Sequence, residues 1–241
     1  LKKPKWFNMA PYPLDMALIN ESDKSVWDAQ VTRIKNSITN EVIDEAFLGF
    51  PEEVNKNTIQ EIRKKLIGRR ENLQNISDTY YDHINKCAVI KGTHKDDWFD
   101  VERLKNGQTK VTAYRIKNGI KADVIHERLY VSKETKEIWV FGLDDDDRYE
   151  VFGEGENLIK TRLIGGQNND VYNIVNGKKL IIYDQKSKDN EFVTGKGNLK
   201  LTDDYETNIY DYKKIRNSTN QFIPAIGANP DDGFRVGFVN T

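Results

Sequence analysis

One short unit recurs along this chain and limits what the chain can fold into. The segments Gly92-Thr-His-Lys-Asp-Asp97-Trp-Phe99, Gly142-Leu-Asp-Asp-Asp-Asp147-Arg-Tyr149 and Gly165-Gly-Gln-Asn-Asn-Asp170-Val-Tyr172 share a Gly, an Asp five residues on and an aromatic two beyond it. Gln185-Lys-Ser-Lys-Asp-Asn190-Glu-Phe192 is a degenerate fourth copy, with Asn for Asp and no Gly. Gly, Asn and Asp are turn formers, and the aromatic that follows suits a narrow layer behind the turn. Two readings stay open. In one, the Asp-rich turns supply oxygen ligands to a hard cation, Ca2+, with Asp97, Asp144, Asp146, Asp147, Asn168 and Asp170 as candidate ligands. Four adjacent carboxylates at 144–147 repel one another, which a cation would relieve. In the other, the turns connect stacked β layers and each Asp caps its own backbone.

The unit resembles the calcium-binding nonapeptide of RTX parallel β-rolls, whose Asp bridges to the ion and whose apolar residue points inward. Lys95, Asp145 and Asn168 stand where that motif has its third Gly, and the copies lie about 50, 23 and 20 residues apart rather than nine. A regular RTX stack is therefore not expected.

Three zones flank and contain these copies. Residues 1–21 are punctuated by Pro4, Pro11 and Pro13, and predict an extended segment. Residues 22–87 are helical in pattern. Ser25 with Asp28 marks the start of one helix with Val26, Trp27, Val31, Ile34 and Ile38 on its apolar face; a shorter one runs from Asn40 to Leu48. Thr58 and Glu61 form a capping box for one long amphipathic helix, in which Ile59, Ile62, Leu66, Leu73, Ile76, Tyr80 and Ile84 recur at helical spacing. From Ala88 to Val193 the period becomes two. Asn106-Gly107, Asn118-Gly119 and Asn176-Gly177 read as hairpin turns, and Thr109–Ile116, Ala122–Val131 and Glu137–Phe141 as strands of a meander. Residues 194–241 read as a polar linker. The expected class is α+β: a helical segment, then a β-rich, partly solenoid-like domain.

Composition narrows the function. Lys+Arg 37 against Asp+Glu 38 leaves no basic excess for nucleic acid. The longest apolar runs, such as Ile138-Trp-Val-Phe141, are far short of the ~20 residues that span a bilayer as helix. Cys87 stands alone, which excludes a disulfide framework within the chain, and reads as a small buried side chain. His83, His94 and His126 lack metal spacing, and no nucleophile elbow, P-loop or His-Glu-x-x-His is present. Nothing assembles a catalytic constellation. The start at Leu1 and the stop within the alternating run Phe234–Asn240 suggest a piece of something longer.

Two stretches are similar to large outer-membrane proteins of Gram-negative bacteria, in which a calcineurin-like metallophosphoesterase is followed by a connector and then by a surface-antigen (BamA-like) β-barrel. One is Lys136-Glu-Ile-Trp-Val-Phe-Gly-Leu-Asp-Asp-Asp-Asp with Leu163-Ile-Gly-Gly-Gln-Asn-Asn-Asp-Val-Tyr and Ile182-Tyr-Asp; the other is Pro224-Ala-Ile-Gly-Ala-Asn-Pro-Asp-Asp-Gly-Phe-Arg-Val-Gly237. The resemblance implies that this chain is the connector. The phosphoesterase would lie upstream and the barrel downstream, with the chain on the periplasmic face of the outer membrane and no metal ligand of the enzyme within it. The rival expectations are a calcium-stabilised module that binds a protein or glycan, and a β-solenoid hydrolase with paired carboxylates across a groove.

Overall fold

The computed structural model describes residues 11–195, 197–214, 222–229 and 233–240. Among them the chain is a mixed α/β protein: a helical layer, then two sheets packed face to face.

The helices are α1 (Tyr12–Leu18), α2 (Lys24–Ser37), α3 (Asn40–Ala46), α4 (Lys56–Glu71) and α5 (Leu73–Ile84). The Pro-rich start is thus helical rather than extended over 12–18; its residues 1–10 lie outside the described residues. Pro11 sits at the N-cap and Pro13 in the first turn, where a missing N–H removes no helical bond. Asp23 occupies the N-cap position of helix α2, so Ser25 falls inside its first turn, and Asp28 instead pairs with Lys24. The N-cap of helix α4 lies three residues before the expected Thr58, at Asn55, whose side chain accepts from the Asn57 N–H at 2.8 Å. The single long helix is bent at Asn72, where ψ is 4°. Backbone bonds from Asn72 N to Gly68 O and from Ile76 N to Asn72 O, both 3.1 Å, carry the ladder through the bend. Gly68 and Asn72 are weak helix formers. The two halves also face different surroundings, since α5 buries Tyr80, Tyr81 and Ile84 while α4 buries nothing.

The first sheet is formed by β1 (Cys87–Lys91), β5 (Glu137–Phe141), β7 (Lys160–Ile164), β9 (Leu180–Asp184) and β11 (Asn198–Leu201), in that order and all parallel. The second has the order β10 (Glu191–Thr194), β8 (Val171–Ile174), β6 (Arg148–Phe152), β2 (Asp97–Arg103), β3 (Gln108–Lys117), β4 (Ile120–Val131). Its first four strands are parallel and β2, β3 and β4 antiparallel. From β5 onward the chain alternates between the sheets, each pass adding one strand to each. The uneven spacing of the Gly/Asp copies follows from this. The step of 50 residues contains the extra hairpin β3–β4, while the steps of 23 and 20 are plain passes.

Two expectations are corrected here. Glu137–Phe141 does not continue a meander with β4; it pairs with β1 in the other sheet. Asn176-Gly177 is not a hairpin but the crossing from β8 to β9, with the left-handed residue at Lys179 (φ 53°). Asn118-Gly119, with φ of 54° and 77°, does close a hairpin of two residues between Lys117 and Ile120. A period of two is shared by meanders and parallel layers, so periodicity alone does not separate them.

The core between the sheets contains Ile90, Ile138, Val140, Leu163 and Ile182 from the first and Phe99, Val101, Tyr149, Val151 and Tyr172 from the second. The other face of the first sheet, with Val89, Trp139, Phe141 and Ile164, is covered by Met16, Tyr80 and Ile84 of the helices. Burial on both faces explains the unbroken run Ile138–Phe141. Asn20 blunts the free edge of β1: its side chain accepts from Val89 N at 2.7 Å and donates to Cys87 O at 2.9 Å. Arg128 on β4 ties the hairpin to the helices through Asn20 O (2.9 Å), Asn85 (2.8 Å) and the Tyr81 hydroxyl (3.0 Å).

The β region also runs past the expected start of the linker at 194. Strand β11 adds to the first sheet, and after α6 (Tyr205–Asn208) the Tyr210 ring meets Phe141 at 5.1 Å. Strands β12 (Phe222–Asn229) and β13 (Gly233–Asn240) pair antiparallel with each other and with no other strand among the described residues.

Candidate functional site

The repeated corners come together at one end of the two sheets. Each leaves a strand of the first sheet and enters one of the second, and the aromatics form a single column. Phe99 stacks on Tyr149 at 5.0 Å, Tyr149 on Tyr172 at 4.9 Å and Tyr172 on Phe192 at 5.1 Å, with ring planes within 13°. These steps match the spacing of neighbouring strands. The first three rings are fully buried.

Two rows of side chains from Asp and Asn link the corners. In the inner row Asp97 N donates to Asp147 Oδ1 (2.8 Å), Asp147 N to Asp170 Oδ1 (2.8 Å) and Asp170 N to Asn190 Oδ1 (2.9 Å). In the outer row the sense is reversed: Asp146 N donates to Asp96 Oδ1 (3.3 Å), Asn169 N to Asp146 Oδ1 (3.2 Å) and Asp189 N to Asn169 Oδ1 (3.0 Å). Each pair of adjacent corners therefore exchanges two hydrogen bonds, as strands do, across a stretch where no strand ladder exists. Asp96, Asp146, Asp147 and Asp170 cap the neighbouring corner's backbone, while Asp97 and Asp144 accept from Thr93 N and Asp145 N of their own corners.

The leading glycine has a steric cause. A Cβ at Gly142 would overlap Asp147 Oδ2, the Gly165 carbonyl oxygen and the Tyr149 hydroxyl; one at Gly92 would lie 2.7 Å from Asp97 Oδ2 and 2.8 Å from the Phe99 ring. Glycine, carboxyl and ring tip thus occupy one tightly packed volume. At the fourth corner the strand register places Asp184, not Gln185, in the glycine's row. Asp184 is fully buried and accepts from the Tyr172 hydroxyl (2.8 Å) and Gln185 N (2.6 Å).

The electrostatics follow from burial. Asp97 is raised by burial, and Thr93 and the Arg115 guanidinium counter the effect. Burial, reinforced by the Asp170 charge, pushes Asp147 up to about 10, and Asp170 is raised well above the carboxylate range by burial and then by Asp184. Asp184 rises to about 6, restrained by its bonds to Tyr172 and Gln185. Burial and mutual repulsion thus favour the protonated forms of Asp147 and Asp170.

Of the candidate ligands, Asp97, Asp147 and Asp170 share the buried inner row, Asp146 joins the outer row, and Asp144 and Asn168 lie at the corner tips. The Oδ1 atoms of Asp147 and Asp170 are engaged by backbone N–H groups, and their buried Oδ2 atoms, which face the glycine row, have no hydrogen-bond partner among the described residues. Among the described residues no group of three or more His, Cys, Asp and Glu is placed to hold a metal ion. His94 is exposed, His126 is half-buried with Nε2 3.3 Å from the Tyr130 hydroxyl, and Cys87 is buried under the helices. Sequence reasoning missed Asp184 and the outer row of Asp96, Asn169 and Asp189. Its available signal was the adjacent Asp/Asn pair in every copy. No protein-family model, curated protein or solved structure matches this chain.

Proposed function

We propose that this chain is a non-catalytic connector: a scaffold within a larger outer-membrane-associated protein, joining a preceding metallophosphoesterase to a following β-barrel on the periplasmic face. In this reading the alternation between sheets is a short solenoid-like stack, and its corner acids are struts between successive passes. The observation that carries the proposal is hairpin β12–β13. It pairs only with itself among the described residues, and Ile226, Phe234 and Val236 are 74%, 83% and 70% exposed. Ile226 lies opposite Val236, and Phe234 is two residues before Val236 on the same strand, so these three side chains share one face. An isolated two-stranded hairpin is marginal in water, and an apolar face on it calls for further strands or lipid. Eight residues per strand reach ~26 Å, close to the ~25 Å apolar band of a membrane barrel.

Flotation with phosphatidylethanolamine/phosphatidylglycerol vesicles tests the hairpin. The chain should rise with the vesicles, and a variant with Ile226→Ser, Phe234→Ser and Val236→Ser should stay at the bottom. A parent chain that also stays at the bottom would remove the support for a membrane-directed end. For the non-catalytic half, the purified chain should release no nitrophenol from p-nitrophenyl phosphate with manganese present. Turnover abolished by Asp147→Asn or Asp170→Asn would make it an enzyme.

A further inference from the structure

At the strand ends opposite the Asp corners, the connections into β5, β7 and β9 enclose a groove of about 940 Å³. Lys133, Lys136, Lys160 and Lys179 line it, and no carboxylate does among the described residues. Lys136 Nζ is held over the Ser132 and Lys133 carbonyl oxygens (2.7 and 3.1 Å), and Lys179 Nζ over that of Leu158 (3.0 Å). Carbonyls orient these ammonium groups without neutralising them. Of the four, Lys160 alone has a carboxylate partner among the described residues, Glu137 at 3.4 Å.

The floor adds two further observations. Thr135 lines the groove, is 1% exposed, and its Oγ1 has no hydrogen-bond partner among the described residues. Behind the floor lies Arg103, also 1% exposed, which donates through Nη1 to the carbonyl of groove-lining Ile159 at 3.0 Å. Its Nε and Nη2 have no partner among the described residues, nor does the hydroxyl of Thr109, its register partner on β3. Burial alone draws the Arg103 pKa down to about 10, with no neighbouring carboxylate opposing it. A buried cation without a counter-charge is costly, and in a low-dielectric interior its field reaches the adjoining groove little screened.

We propose that this groove is an oxyanion-binding site, taking a ligand's carboxylate or phosphate group on Thr135, Lys136 and Lys179, with Arg103 as the fixed positive charge behind it. The site is independent of the connector reading, since it uses the end of the sheets opposite the corners and none of the hairpin's residues. Four buried donor atoms without a partner among the described residues, and a lining whose charged side chains are all lysines, are what such a group would satisfy.

Isothermal titration of the purified chain with inorganic phosphate and, separately, with acetate tests it, each at ionic strength fixed with sodium chloride. Saturable binding of at least one is expected; the stronger of the two identifies the anion class. Lys136→Met with Lys179→Met should weaken that binding tenfold or more, and Thr135→Val, which keeps the side-chain shape, about fivefold, with circular dichroism of both variants unchanged. Heats no larger than those of chloride would overturn the proposal, leaving the buried donors to water. Binding that survives both variants would also overturn it, as an adventitious ion only.

Discussion

Replacing Gly142 by alanine should be among the most damaging single substitutions in this chain. The added methyl has no free direction. It would meet the Asp147 carboxyl, the Gly165 carbonyl oxygen and the Tyr149 hydroxyl, two of them parts of the buried corner and one of them backbone. Overpacking of a tight interior costs 1–3 kcal/mol, and breaking the Asp147 strut beside it adds about 1 kcal/mol for each lost hydrogen bond. A total near 3–5 kcal/mol lowers the melting temperature of a protein this size by roughly 10 °C or more. Gly68→Ala is the matched control. Its Cβ would meet nothing within 4 Å, and it lies in helix α4, so that substitution should be neutral or stabilising by up to ~1 kcal/mol. Equal melting temperatures for the two variants would show that the corner is not packed as described.

The second large effect concerns pH. Asp147 has a folded-state pKa of about 10 against an ordinary 3.8, so between these values the folded chain keeps a proton that the unfolded chain has lost. Stability from this group is complete below about pH 4 and declines as pH rises towards about 10, by at most ~1.4 kcal/mol per pH unit. Asp170 acts in the same direction, and Asp184 does so between about 4 and 6. The chain should therefore melt at a distinctly higher temperature at pH 5 than at pH 8. Asn at 147 should reduce that slope and raise stability at pH 8, because an amide needs no proton to stay neutral. Asn190 shows that the row accepts an amide: its Oδ1 takes the Asp170 N–H, and its Nδ2 donates to Gln185 O at 2.9 Å. Melting curves of the parent and Asp147→Asn at pH 5, 6, 7 and 8 decide the matter; parallel slopes would rule out a protonated Asp147.

The residues that were legible in sequence were those whose spacing is set by contacts within one corner. Gly92, Asp97 and Phe99 touch one another, and so do their counterparts at 142–149, so their fixed separation survives in the sequence and announced a buried ring. The helical and β-rich zones were legible for the same local reason. Pairing partners were not. Whether Glu137–Phe141 joins β4 or β1 depends on which sheet the chain enters after Val131, and the alternation of apolar residues is the same in both cases. Asn176-Gly177 misled because the dipeptide favours a turn without saying whether the next strand returns beside the last. The groove was invisible because Arg103, Thr109 and Thr135 are far apart from Ile159 and Lys179 along the chain and meet only when the passes stack. Charge counting, with Lys+Arg 37 and Asp+Glu 38, averages away a basic groove at one end and a row of acids at the other.

The central claim is that hydrogen bonds between side chains and backbone, rather than an ion, hold the corners together. Thermal melting of the chain in millimolar calcium and in excess chelator, at pH 7 and fixed ionic strength, tests it most directly. Saturating a site a hundredfold over its dissociation constant would add about 2.7 kcal/mol, a shift of several degrees. Superimposable curves are predicted. A calcium-dependent rise of that size, lost when Asp146 and Asp170 are both changed to Asn, would contradict the account.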